Sequence, residues 1–329
     1  MAPAMSSMAP GFSPWQQRAY AQAADALDSG RLGHALLVCG PAHLGKRAVA
    51  ERLAQRALCR TRDTNGDACG QCRSCQLFTA GTNPDYGVVS FVMNKEGTRL
   101  RTEVVIDQIR DLSAQFALTP QYGGARVAII DPADAVNHAA CNALLKTLEE
   151  PQAGRYLWLV TADPARLPAT IRSRCQKLEF RLPPAEESIQ WLRGNGHDEQ
   201  AVVEALDASR GHPGLADLWL RDGSLRLRKE VVGDLTQLSR GDASPLDVGQ
   251  RWAGDDQADL RLRFAADHAL ALAAGLTEPG RTRTLATWFD AANRTRTLLR
   301  TTVRSDLAIA ELLMAWQGAS ASRAASGRN

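Results

Sequence analysis

Apolar residues fall along this chain in two rhythms. Short unbroken runs at Ala35–Cys39 and at residues 127–130 have the length of buried strands, and residues 156–161 form a third. Between them lie stretches with helical spacing. Residues 13–29 predict a helix ahead of the first strand, and residues 47–58 predict one after it, with Val49, Leu53 and Leu58 at apolar positions. Residues 139–149 predict a third, with Leu144, Leu145 and Leu148 on its apolar face and Pro151 closing it. Alternation of this kind predicts an α/β unit built on a mainly parallel sheet.

Past Pro183 and Pro184 the rhythm changes. Residues 186–220 read as a small helical module around Gly211-His212-Pro213-Gly214, and residues 225–238, 255–274 and 298–316 continue in helical spacing. An all-α bundle is expected there. Residues 318–329 are small or polar and are expected to fray. No run approaches the roughly 20 apolar residues needed to cross a bilayer. The first dozen residues have neither a basic start nor a continuous apolar stretch, so export is not expected.

Composition narrows the picture. A chain of 329 residues, 44% apolar and 23% charged, can bury a large core and is expected to form two or three domains. A net charge of +3 is compatible with DNA nearby but does not require it. Seven cysteines, an odd number with four clustered, read as a metal site plus buried thiols in a reducing cytoplasm. Cys39, Cys141 and Cys175 lie in or beside the expected core and read as packing residues.

The sharpest chemical signal is at residues 40–47. Gly40-Pro41-Ala42-His43-Leu44-Gly45-Lys46-Arg47 follows the first strand and opens a helix, and it fits the phosphate-loop pattern G-x-x-x-x-G-K-[ST] at every fixed position but the last. The missing hydroxyl is the group that holds magnesium, and an arginine cannot coordinate a cation. Lys46 and the loop amides keep the means to bind an anion or, weakly, a nucleotide. Asp131 ends the second strand, where such proteins place a metal-polarising acid, but Pro132 follows it. Asp134, three residues on, either orients water or caps the next helix. Thr161, at the end of the third strand, is either a phosphate-sensing group or a buried strand threonine.

Cys59, Cys69, Cys72 and Cys75 give C-x9-C-x2-C-x2-C, with turns at Gly66 and Gly70. Four thiolates at this spacing point to a structural zinc, with iron-sulfur ligation the less fitting alternative. Zinc held by four protein ligands has no open position, so the metal would fold the insert rather than activate water.

Taken in order, His34-Ala35-Leu36-Leu37, the phosphate loop, the cysteine insert, residues 142–151 (NALLKTLEEP) and Ser173-Arg174-Cys175 resemble the delta-prime subunits of the bacterial DNA polymerase III clamp loader, within the AAA+ ATPase superfamily. The resemblance covers almost the whole chain. It implies an AAA+ domain at residues 1–178 with the zinc insert at about 59–75, a helical lid at 179–220, and a helical collar at 221–329 that joins subunits into an open ring. It further implies a cytoplasmic, replisome-associated component of the DNA-directed DNA polymerase III holoenzyme. Its partners would be the delta and gamma or tau subunits, the sliding clamp through the assembled loader, and primer-template DNA.

On this resemblance Arg174 would enter the ATP site of the adjoining gamma or tau subunit as an arginine finger, with Ser173 placing it. Such a group stabilises transferring phosphate by on the order of 10³ to 10⁵ in rate. From the residues alone, Arg174 reads first as one half of a surface ion pair or as tied to the domain's own carboxylates, and only the family context favours the finger. The family's lid arginine has no counterpart, since the matching stretch runs Gly211-His212-Pro213-Gly214-Leu215. Arg47, Pro132 and Leu215 each remove a part of the hydrolytic machinery, so the isolated chain is expected to be neither a polymerase nor an active ATPase, and its own ATP and magnesium binding are doubtful. Arg281, Arg283, Arg294, Arg296, Arg300 and Arg304, against the single acid Asp290, offer a basic face for DNA or a solvated surface. Two other readings are an independently active AAA+ ATPase, which predicts solitary turnover lost with Lys46, and a zinc-dependent DNA-binding scaffold, which predicts DNA affinity without partners.

Overall fold

The computed structural model describes residues 11–320 except residues 95, 123, 300 and 302. Among the described residues the chain divides into two compact units, one ending at Leu218 and one beginning at Trp219.

The first unit runs α1 (Pro14–Asp28), β1 (Ala35–Cys39), α2 (Lys46–Leu58), α3 (Arg73–Thr79), β2 (Tyr86–Val89), α4 (Ile106–Ala117), β3 (Arg126–Ile130), α5 (His138–Glu149), β4 (Arg155–Thr161), α6 (Ala169–Arg172) and β5 (Gln176–Glu179), then α7 (Ala185–Gly194), α8 (Glu199–Ala208) and the start of α9 (Pro213–Asp222), whose residues from Trp219 on belong to the second unit. The five strands form one parallel sheet in the order β2-β3-β4-β1-β5. Side chains alternate across each strand. Leu36, Val38, Val127, Ile129 and Trp158 therefore pack on one face against Trp15 and Tyr20 of α1 and Val49 and Leu53 of α2. Leu37, Ala128, Ile130, Leu157 and Leu159 pack on the other against Ile109, Leu112 and Phe116 of α4 and Leu144 and Leu148 of α5. Burying each such side chain contributes about 1.5–3 kcal/mol, and the strand runs are apolar throughout because both faces are covered.

In the sheet unit the expected strands and helices are present, and the structure adds β2, α3, α4, α6 and β5. The stretch around Ser173 does not lead out of the sheet, because β5 follows it and pairs with β1. Asp85 and Arg126, both buried, fix the β2 and β3 edge: the Asp85 carboxylate accepts from Arg126 at 2.9 Å and from the Gln121 and Tyr122 amides at 3.0 and 3.1 Å.

The second unit is all α: α10 (Ser224–Arg240), α11 (Pro245–Ala253), α12 (Ala258–Ala274), α13 (Pro279–Leu298) and α14 (Ser305–Ser320). Its core is rich in tryptophan. Trp219 meets Phe264 edge-on at 4.9 Å, Trp288 lies 4.7 Å from Trp316, and the Trp288 and Trp316 indoles donate to the Leu312 and Leu235 carbonyls at 2.9 Å each. Residues 298–316 are not one helix as expected, since the chain leaves α13 at Leu298 and restarts at Ser305. Helix α14 runs to Ser320, so residues 318–320 are helical rather than frayed. The expectations for residues 1–10, for residues 321–329 and for Arg300 lie outside the described residues. An α/β unit followed by an all-α unit is the expected fold class. No helix among the described residues is long and apolar enough to cross a membrane.

Candidate functional site

Strand β1 delivers Gly40 to the carboxyl edge of the sheet, where parallel α/β folds place ligands. The loop bends sharply there. Gly45 has φ +73°, the left-handed region that favours glycine, and Gln16 packs against it. The Lys46 amine is buried and donates to the Gly40 and Pro41 carbonyls at 2.8 and 2.7 Å, folding the lysine back on its own loop. Burial pulls its pKa below the ordinary value, against the opposing pull of Asp131 and Asp134.

Arg47 turns its guanidinium to two carboxylates, Glu51 at 2.8 Å and Asp131 at 3.3 Å. Burial raises the Asp131 carboxyl above its usual value, and Arg47 draws it back. The acid of the second strand thus meets an internal cation. Asp134 does not cap the next helix; Asn137 does, accepting from the Ala140 amide at 3.0 Å. Asp134 instead accepts from the Thr161 hydroxyl at 2.5 Å and the Ala162 amide at 3.3 Å. Thr161 is buried, and its hydroxyl also accepts from the Asp163 amide at 3.0 Å.

Helix α9 closes the loop from the side. A Cβ at Gly214 would lie 1.8 Å from the His43 carbonyl, so the helix backbone rests directly on the phosphate loop. Arg210, ahead of it, has φ +55°. These residues do not fit magnesium-ATP: the position that should supply a hydroxyl carries a guanidinium, and that guanidinium is paired with the acid that should face the metal shell.

The cysteine insert is the opposite case. The ligand atoms of Cys59, Cys69, Cys72 and Cys75 all lie within 4.8 Å of one another. Cys59 Sγ is 3.6 Å from that of Cys69 and 4.0 Å from that of Cys72. A tetrahedron with metal-sulfur bonds of about 2.3 Å has sulfurs about 3.8 Å apart, so the cluster can hold one metal ion. The Cys69 amide donates to Cys59 Sγ and the Cys72 amide to Cys69 Sγ, each at 3.3 Å, the outer-shell bonds that hold thiolates in place. The bond from the Cys72 amide, with the Thr61 hydroxyl, brings the Cys69 thiol down to about 6, whereas burial pushes Cys75 up. Glycines at 66 and 70, with φ +78° and +71°, make the turns. Buried Arg56 ties the insert to α1, reaching Asp28 at 2.5 Å and Asp67 at 2.8 Å, and the Tyr20 hydroxyl donates to the same Asp67.

Arg174 follows α6 on the exposed side of the unit. Its Nη2 meets Glu149 at 2.6 Å and its Nη1 donates to the Thr170 carbonyl at 2.9 Å. Neither partner belongs to the phosphate loop. Ser173 donates to the same Thr170 carbonyl at 3.2 Å, so the two side chains share an acceptor rather than touching each other. Of the basic segment, Arg296 pairs with Asp259 at 2.9 Å and Arg304 with Asp306 at 2.6 Å.

With this geometry in view, the chain can be set beside known proteins. The family model described as DNA polymerase III, delta subunit, matches residues 15–184. The DNA polymerase III subunit delta' of Pseudomonas aeruginosa is 38% identical over 241 residues, 73% of this chain and 70% of that protein. The chain belongs to the DNA polymerase III delta-prime family. The Haemophilus influenzae subunit delta' is 36% identical over 67% of this chain and 64% of its own length. A DNA polymerase III subunit tau from Bacillus subtilis is 32% identical over 63% of this chain but only 36% of its own length. In this family member the phosphate-loop lysine is turned inward, onto the Gly40 and Pro41 carbonyls.

Gly40, Gly45, Lys46, Arg47, Asp131 and Thr161, the residues expected at a nucleotide site, stand at the carboxyl ends of β1, β3 and β4 and at the start of α2. Three partners of these and neighbouring residues were not expected from the sequence. Glu51 stands one helical turn beyond Arg47, a spacing that signals an ion pair. Asn137 precedes the helix at its cap position. Glu149, 25 residues before Arg174, carried no such signal.

Proposed function

We propose that this protein is the delta-prime component of a clamp loader, helping to place a sliding clamp on primed DNA as part of the DNA polymerase III holoenzyme in the cytoplasm. The residues divide as the family resemblance suggests, with an AAA+ domain to 178, a lid at 179–220 and a collar from 221. The collar holds neighbouring delta and gamma or tau subunits through apolar burial, and Arg174 acts in trans on the ATP held by the adjoining gamma or tau chain. DNA is met chiefly by the assembled loader.

One observation supports the reading: where the phosphate-loop pattern calls for a magnesium-holding hydroxyl stands Arg47, paired with Asp131, while Arg174 stays at the surface. A protein so built contributes geometry and a cation, not turnover. Four sulfurs at zinc-like separations support a structural zinc at Cys59, Cys69, Cys72 and Cys75. When bound, the ion would close the insert and, with no open position, do no catalysis.

The test is a reconstituted loader containing wild-type or Arg174→Ala protein, with assembly verified by native mass and ATP hydrolysis measured with clamp and primed DNA. Retained assembly with reduced partner hydrolysis is expected. Unchanged hydrolysis in an intact complex rejects the trans role, and brisk hydrolysis by the isolated wild-type chain rejects the passive one.

A further inference from the structure

Glu149 is the last residue of α5 and Arg174 lies just beyond the end of α6. Both features favour their pairing. A carboxylate at a helix C-terminus faces the negative end of the backbone dipole, with the Glu150 carboxylate next to it, so a cation is drawn there. Thr170, in the last turn of the short α6, offers a carbonyl that its helix leaves open. Arg174 satisfies both, through Nη2 to Glu149 at 2.6 Å and Nη1 to Thr170 at 2.9 Å.

This arrangement has a cost for phosphate recognition. A guanidinium grips phosphate through two parallel N–H bonds from one edge, and its full positive charge is what a transferring phosphoryl group needs. One N–H of each terminal nitrogen is committed and the adjacent carboxylate offsets part of the positive charge, so Arg174 in this arrangement, with three donors left, is a weaker ligand for phosphate. The pair is nonetheless weak enough to break, because its side chains are 37% and 50% exposed.

We propose that Glu149 is a latch that holds Arg174 against α5 until the triphosphate of an adjoining subunit competes for the guanidinium. The inference rests on the trans role of Arg174 proposed above and adds a positioning residue to it. Glu149 keeps basal hydrolysis by the neighbouring subunit low, and a terminal phosphate, carrying more charge than one carboxylate, draws the arginine across when it is correctly seated.

The experiment measures ATP hydrolysis by the assembled loader without clamp or DNA, for wild type, Glu149→Gln, Glu149→Asp, Arg174→Ala and the Glu149→Gln, Arg174→Ala double variant, with each assembly weighed by native mass. Glu149→Gln is expected to raise the basal rate about two- to fivefold, the population shift an ion pair of this exposure supports. Glu149→Asp should return the rate toward wild type, and the double variant should fall to the level of Arg174→Ala. Raising salt should narrow the gap between wild type and Glu149→Gln, because screening loosens an exposed pair. A basal rate unchanged or lowered in Glu149→Gln, with Arg174→Ala still impaired, overturns the latch and leaves the trans role standing. If Arg174→Ala is itself unimpaired, the trans role falls and the latch with it.

Discussion

The phosphate loop and the turn at Arg174 belong to the same sheet unit, yet they treat their cations in opposite ways. At the loop, Lys46 is buried against two carbonyls and Arg47 is paired with two carboxylates, so the positive charge a nucleotide would seek is spent internally. At Arg174 the charge is exposed and held by one half-exposed carboxylate. The difference bears on the proposed trans role: removing Arg47 from Asp131 uncovers a partly buried acid, whereas removing Arg174 from Glu149 returns that acid to water.

The contrast is open to attack at several strengths. The largest effect is expected from Arg174→Ala, a loss on the order of 10³-fold in hydrolysis at the adjoining site, resolved by single-turnover measurements on the assembled loader. Next comes Arg56→Ala, which strips the buried cation from Asp28 and Asp67. It should lower stability by about 2–3 kcal/mol and release metal from the cysteine insert at lower chelator concentration, as urea titration and a zinc dye will report.

Arg47→Thr restores the hydroxyl that the loop pattern asks for. It should cost about 1–2 kcal/mol and still give no magnesium-dependent turnover, because Thr161 and Asp134 remain bound to each other. Its pH dependence sharpens the point. The folded Asp131 carboxyl lies above its ordinary value of 3.8, so the folded protein binds that proton more tightly than the unfolded chain does. Stability contributed by this group therefore falls as pH rises above that value. Without Arg47 the carboxyl should titrate higher, and the fall should be steeper and reach further, in urea midpoints taken from about pH 4 to about pH 7. The smallest effect is Lys46→Ala, expected to leave hydrolysis by the isolated chain at background. Measurable solitary turnover that disappears in this variant would reverse the comparison.

Much of this was legible in the pattern of residues. Apolar runs at β1, β3 and β4 stood out because strands covered on both faces need few polar positions. Strand β5 did not, since only Leu178 of its residues is buried. Strand β2 is four residues long and includes Gly87, too brief for a periodic signal. Both are edge strands of the sheet. The cysteine spacing announced its cluster because ligands close in sequence need only local turns to converge. Arg47 likewise declared itself by breaking a fixed pattern.

Sequence by itself determined that the chain carries a phosphate loop without its hydroxyl, four clustered thiols and an arginine in a family-specific setting, since each depends on residue identity at short range. Only the tertiary structure decided where the charges go. Arg47 reaches Asp131 from 84 positions away, Thr161 donates to Asp134 across 27, and Arg174 meets Glu149 rather than solvent alone. Such pairings are set by which strand ends and helix ends the sheet brings side by side, and electrostatics acts on distance in space, to which spacing along the chain is blind.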